Sequence, residues 1–285
     1  MSQLIIFPCS QNQKAIASWI EEFERDYFTR RAKTPKSETT WAGDYLKVFR
    51  QLPPARMLTP EIVMELVTST PADTKTRRRC CIALGVLARF AGLNIDLRPF
   101  KGTYSPKKAG KRNLPTDDVI SSYFEQIGHP AWRWAYGMLA TYGLRPHELF
   151  HLDQRSLRAG NPVLRILDGK TGERTTFPYY PEWVERFELR TILLLQVSGK
   201  TNSDLGNRVT RAFQRYKVPF KAYDLRHCWA IRTLEFGLEL SLAAQQMGHS
   251  VAVHTDLYHA WISERHQLRA FEVLMKSPSR PQAPP

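Results

Sequence analysis

The stretch 245–261, QQMGHSVAVHTDLYHAW, is the most informative in the chain. Within it Met247-Gly248-His249 is followed nine residues later by Tyr258. A histidine beside a glycine reads, on its own, as the cap of a helix end. A tyrosine among Val, Leu and His reads as a packing residue, the commonest fate of that side chain. Three upstream segments add to this reading. ATYGLRPHELFHL carries Arg145, GKTGER carries Lys170, and AYDLRHCWAIRTLEFG carries Tyr223 and Arg226. Alone, each arginine reads as a surface ion-pair partner, and a lysine at a glycine turn as a solvated one.

Taken together these groups meet a definite chemical demand. Phosphodiester transfer without a metal needs a nucleophile, fixed positive charge on the non-bridging oxygens, and an acid for the leaving oxygen. Arginine suits the second task because its planar fork grips two phosphate oxygens and stays charged.

Composition points to the same class of substrate. Lys and Arg number 41 against 27 Asp and Glu, a net charge of +14. Such a surplus costs self-repulsion unless an anionic partner shares it, and nucleic acid is the leading candidate. No apolar run is long enough to span a bilayer, and the start MSQLIIFPCS has no basic region of the kind that opens a signal peptide. Cys9, Cys80, Cys81 and Cys228 form no CxxC pair and no zinc spacing, so they read as reduced thiols of a cytoplasmic protein.

At 285 residues the chain suits two domains. Helical periodicity runs through 13–30, a stretch capped by Ser37, the Thr59-Pro60-Glu61 start, and 74–92 with Lys75, Arg77, Arg78 and Arg79 at its leading end. No strand pattern appears there, so 1–98 reads as a helical bundle. Residues 99–113 read as an exposed basic linker; Lys107, Lys108, Lys111 and Arg112 suit phosphate contact. A second domain, 114–276, opens on the capping pattern Leu114-Pro115-Thr116-Asp117-Asp118. Residues 163–168 and 173–179 flank a glycine-bearing turn and predict a β-hairpin. Helix is expected from there to Met275, and the proline-rich tail 277–285 is expected to be disordered.

The order and spacing of these segments resemble the tyrosine recombinases, the lambda-type integrase family. GLRPHEL is similar to the family's first-arginine segment, Lys170 to its hairpin-turn lysine, Tyr223-Asp224-Leu225-Arg226-His227 to its H-x-L-R-H block, and Met247-Gly248-His249 with Tyr258 to its closing block. The resemblance carries specific motifs over about 114–275 and extends loosely to the N-terminal bundle, which resembles the core-binding domain. It implies a mostly α fold with a small β-hairpin, in two domains that form a C-shaped clamp on DNA. It also implies roles. Arg145 and Arg226 would hold the scissile phosphate, Lys170 would protonate the leaving oxygen, and His249 would hydrogen-bond the phosphate or assist proton transfer. Tyr258 would form a 3′-phosphotyrosyl link, with no cofactor and no metal. One position departs from the pattern: Tyr223 stands where the family usually has histidine, and neutral tyrosine is a poor base. Either Tyr223 positions the phosphate or neighbouring arginines make it more acidic.

The expected partners are double-stranded DNA and further copies of the chain, four on two sites, in a cytoplasmic, nucleoid-associated protein; whether an accessory DNA-bending protein takes part is left open. The stripe Trp261, Leu268, Phe271 and Met275 on a closing helix would serve that assembly. Two other readings stay open. One is a DNA-binding protein of the same fold without catalysis. The other is a zinc peptidase, since His147-Glu148-Leu149-Phe150-His151 is literally H-E-x-x-H.

Overall fold

A computed structural model of the chain describes residues 14–105, 113–169, 172–258, 261–279 and 281. It divides into two compact units, Met1–Ala109 and Gly110–Pro285. Lys107, Lys108, Lys111, Arg112 and Lys170 lie outside the described residues, as does most of the tail.

In the first unit threonines cap three of the described helices. Helix α1 (Ile16–Thr29) turns Ile16, Trp19, Phe23 and Tyr27 inward, the spacing of one helical face. Thr34, not Ser37, caps α2 (Pro35–Thr40): the Ser37 amide donates to Thr34 Oγ1 at 3.2 Å, and Ser37 Oγ accepts from the Thr34 amide at 2.9 Å. Ser37 is the third residue of a capping box rather than its first. The chain continues through a π-helical stretch, Trp41–Leu46, into α3 (Lys47–Phe49). Thr59 and Thr74 cap α4 (Pro60–Ser69) and α5 (Lys75–Phe90). Rings hold the core: Phe23 lies 5.3 Å from Phe90 and 5.8 Å from Trp41. Each buried ring contributes about 2 kcal/mol by transfer from water.

The second unit is built around two buried helices. Thr116 caps α6 (Asp117–Gln126), and in α7 (Pro130–Tyr142) every residue from Trp134 to Tyr142 is buried. Gly143 ends α7 at φ +61, where a Cβ would meet the Trp229 ring at 2.5 Å, so only glycine fits. A 3₁₀ turn, Pro146–Phe150, leads to β1 (Leu152–Asp153) and α8 (Gln154–Arg158). The expected hairpin is β2 (Leu164–Ile166) against β3 (Arg174–Thr176), antiparallel with Leu164 opposite Thr176. β1, which the sequence did not signal, pairs on the other side of β2.

Helix does not continue unbroken beyond the hairpin. After α9 (Glu182–Arg186), Glu188 takes φ +51 and the Leu189 amide reaches back to the Val184 carbonyl, a left-handed helix end. Residues 187–201 then run without regular structure. The remaining elements are α10 (Asn202–Arg215), α11 (Ala222–Glu235), α12 (Leu240–Met247), α13 (Val251–Tyr258) and α14 (Glu264–Met275). Helix α11 is buried on most of its circumference and carries Arg226, His227, Trp229 and Arg232 into the interior. Among the described residues, no helix is long and apolar enough to cross a membrane.

Candidate active site

Helix α12 ends at Gly248, φ +60, and its last carbonyls have no partners within the helix. Three arginines from distant segments converge on them. Arg226 Nη2 donates to the Met247 carbonyl, Arg174 Nη1 to the Gln246 carbonyl, and Arg145 Nη2 to the Gly248 carbonyl at 3.0 Å. Arg226 Nη1 also donates to Gly143 O at the end of α7, at 2.7 Å. Positive charge at helix C-termini is favoured by the aligned peptide dipoles.

One carboxylate binds the arginines together. Glu148 is wholly buried; its Oε1 accepts from Arg145 Nη1 at 2.8 Å and its Oε2 from Arg174 Nη2 at 2.5 Å. Arg226 Nη1 lies 4.0 Å from Oε2. Burial by itself would push the Glu148 carboxyl up, but Arg174, Arg226 and Arg145 outweigh it and bring it down to about 2. Burial, then Arg145 and Arg174, lowers Arg226 to about 10, so it remains charged at neutral pH. Three guanidiniums therefore face one carboxylate, and two positive charges are left over. Arg174 and Gly248 also line an open cleft of about 1090 Å³.

His249 stands at the same cleft. Arg226 Nη2 lies 3.0 Å from His249 Nε2. A guanidinium can only donate, so Nε2 accepts and the imidazole proton sits on Nδ1. Nδ1 has no hydrogen-bond partner among the described residues. Burial, with Arg226 and Arg145, holds His249 down at about 3. His249 is thus a neutral donor rather than an acid. His254, buried one turn before Tyr258, is likewise lowered to about 4 by burial and Arg226.

From His249 an aromatic series leads to Tyr258: His249 to His254 is 5.9 Å and His254 to Tyr258 is 4.7 Å between ring centres. Tyr258 is 1% exposed, and its hydroxyl lies 2.9 Å from Nδ1 of His227. Tyr223 sits one turn before His227 on α11, 39% exposed, with the two rings 5.2 Å apart.

The structure thus brings together Arg145, Arg226 and His249, links Tyr258 to His249 through the His254 ring, and places Tyr223 against His227. Two residues joined to them were missed in the sequence. Arg174 left a signal, because it is a charged residue on the inward face of a hairpin strand, in register with Ile166. His227 left none; its hydrogen bond to Tyr258 joins two helices and forms only in the folded chain. In the H-E-x-x-H segment both Glu148 oxygens are bound to arginines, and residues 146–150 form a 3₁₀ turn rather than an α-helix face. His151 Nε2 pairs with Asn202 Oδ1 at 2.9 Å.

In the first unit, Arg78 and Lys75 are exposed, and Arg79 lies 3.4 Å from Asp44. Arg77 turns inward: its Nε donates to Thr70 Oγ1 at 2.8 Å and its Nη2 to the Thr68 and Thr70 carbonyls at the end of α4. Arg77 is therefore a helix cap, and a role for it in gripping phosphate is corrected by this geometry.

Comparison with known proteins gives matches in both sequence and fold. Residues 17–101 match the model of the XisA/XisC excisase second domain. The chain is 31% identical over 286 residues to Excisase A of Nostoc sp. (strain PCC 7120), covering 89% of this chain and 60% of that protein. A crystal structure of the lambda integrase bound to DNA superposes with a TM-score of 0.60 at 15% identity, covering 88% of this chain and all of that one. The chain has the tyrosine recombinase fold and resembles that family in sequence. It is also 27% identical over 151 residues to Tyrosine recombinase XerD of Vibrio cholerae serotype O1, covering 45% of this chain and 48% of that protein. The chain spans about 60% of the length of the curated excisases it matches.

Proposed function

We propose that the chain cuts and rejoins duplex DNA at specific sites through a covalent phosphotyrosyl intermediate. One observation carries this reading: a buried nest of Arg145, Arg174 and Arg226 around the single carboxylate of Glu148, with His249 beside it at an open cleft. A phosphodiester brings one negative charge, and its pentacoordinate transition state brings two. The surplus of two positive charges therefore suits the transition state better than the ground state.

In this reading Arg145 and Arg226 hold the non-bridging oxygens, and Arg174 keeps Glu148 neutralised so that it does not repel the phosphate. His249, held by Arg226, hydrogen-bonds a phosphate oxygen. Tyr258 attacks phosphorus, the bond to the 5′ oxygen breaks, and Lys170 gives that oxygen its proton. A 5′ hydroxyl then attacks the link in the reverse sense. Lys75, Arg78 and Arg79 of the first unit, with the basic segment 99–113, contact backbone phosphates. The relatives' names and the DNA in the lambda integrase structure support duplex DNA as the partner. Helix α14 supports assembly of several protomers on it, since Leu268, Phe271, Val273 and Leu274 are all more than half exposed.

The test is a nicked suicide duplex carrying the recognised site, offered to wild type and to Tyr258→Phe. A covalent adduct with wild type alone is expected. Duplex binding with no adduct from either protein would leave a DNA-binding protein without catalysis.

A further inference from the structure

Where the family pattern puts histidine at position 223, this chain has tyrosine, and an imidazole one turn further along the same helix hydrogen-bonds the nucleophile. His227 is 5% exposed and Tyr258 is 1% exposed, so their contact is closed to bulk water. The distance from Tyr258 Oη to His227 Nδ1 is 2.9 Å, a normal hydrogen bond. The Tyr223 ring lies edge-on to His227 at 5.2 Å, and the His254 ring lies tilted at 4.7 Å from that of Tyr258.

We propose, resting on the phosphotyrosyl reading above, that His227 is the general base for Tyr258. In the Nε2–H tautomer the tyrosine hydroxyl donates to Nδ1. As Oη forms its bond to phosphorus, its proton passes to Nδ1. The phosphorus–5′ oxygen bond breaks, and the 5′ oxygen takes a proton from the separate acid. His227 returns its proton to Oη when the link is reversed. The base role has moved from position 223 to position 227, which keeps it on the same helix face, i to i+4. It also explains how the chain does without histidine at 223: tyrosine there need only pack against the imidazole that works. Imidazole is the side chain best suited to take up a proton at neutral pH.

The experiment compares wild type, His227→Asn and His227→Gln on a duplex selected from a random pool by this protein. The scissile position is located by scanning a 5′-bridging phosphorothiolate across the duplex. A sulfur leaving group needs no acid, so that substrate rescues loss of an acid but not loss of a base. Both variants are checked for wild-type duplex affinity and thermal unfolding. Adduct formation is expected to slow about 100-fold or more in His227→Asn on both the oxygen and the sulfur substrate. An unchanged rate, a faster rate, or rescue by sulfur would each overturn the proposal. A faster rate would mean that His227 only restrains the tyrosine, and rescue would make it the acid. Nitrogen-15 NMR of the wild-type histidines gives a measurement that needs no variant: the Nε2–H tautomer is expected at His227, and Nδ1–H would overturn the assignment. If wild type forms no adduct on any phosphorothiolate position, the recombinase reading itself fails, and the role of His227 fails with it.

Discussion

At the scale of single residues the site is an electrostatic arrangement with Glu148 at its centre. Removing one partner of a buried ion pair leaves uncompensated charge, which costs about 3–5 kcal/mol. Glu148→Gln should therefore lower stability by that order, measured by denaturant unfolding, whereas substitution of an exposed residue such as Arg155 should have little effect. The buried imidazoles make a second prediction. His249 and His254 have folded values of about 3 and 4, both below the ordinary imidazole value. Between those values and about 6.5 the unfolded chain binds protons that the folded one does not. The stability they contribute is complete above about pH 6.5 and drains away as pH falls toward 4 and 3. Glu148, held at about 2, adds its own acid sensitivity only below the ordinary carboxylate range. The melting temperature should start to fall near pH 6.5, and His254→Gln should flatten the profile between pH 6 and 4. An identical profile in that variant would remove His254 from the account.

At the scale of elements, helix ends decide where the arginines go. Arg226 reaches the end of α7 because Gly143 turns left-handed and Trp229 packs against its bare Cα. Gly143→Ala forces a positive φ on a residue with a Cβ and drives a methyl group into a buried indole. A loss of about 2–5 kcal/mol is expected in thermal or chemical unfolding. Helix α5 divides its charges by face. Arg77 caps α4, so Arg77→Ala should cost about 1.5–3 kcal/mol of stability with no specific effect on DNA. Arg78→Ala should leave stability unchanged, weaken duplex binding, and reduce the salt slope by about 1. A reversed outcome for the pair would show that the buried and exposed faces had been exchanged.

At the scale of the whole molecule, the net charge of +14 predicts binding that weakens steeply with salt, with a log–log slope of about −0.9 for each phosphate neutralised. Assembly is predicted from α14, where Phe271 is 58% exposed and Leu268 57%. A double change, Leu268→Glu with Phe271→Glu, should abolish cooperative occupancy of paired sites in a gel-shift titration while leaving single-site affinity within about twofold. Unchanged cooperativity would assign α14 to some other partner.

Much of this protein was decided by local sequence. Threonine caps set the starts of α4, α5 and α6, helical periodicity set α1, and the glycine-bearing turn set the hairpin, because each depends on residues a few positions apart. Resemblance to the recombinase motifs named Arg145, Arg226, His249 and Tyr258, since each motif is itself a short run of chain. Tertiary structure alone decided the rest. It recruited Arg174 to Glu148, turned Arg77 inward, added β1, ended α9 on a left-handed Glu188, and set His227 against the Tyr258 hydroxyl. Those contacts join residues whose positions depend on how whole helices pack, and no short stretch of chain encodes the direction in which a buried side chain will find its partner.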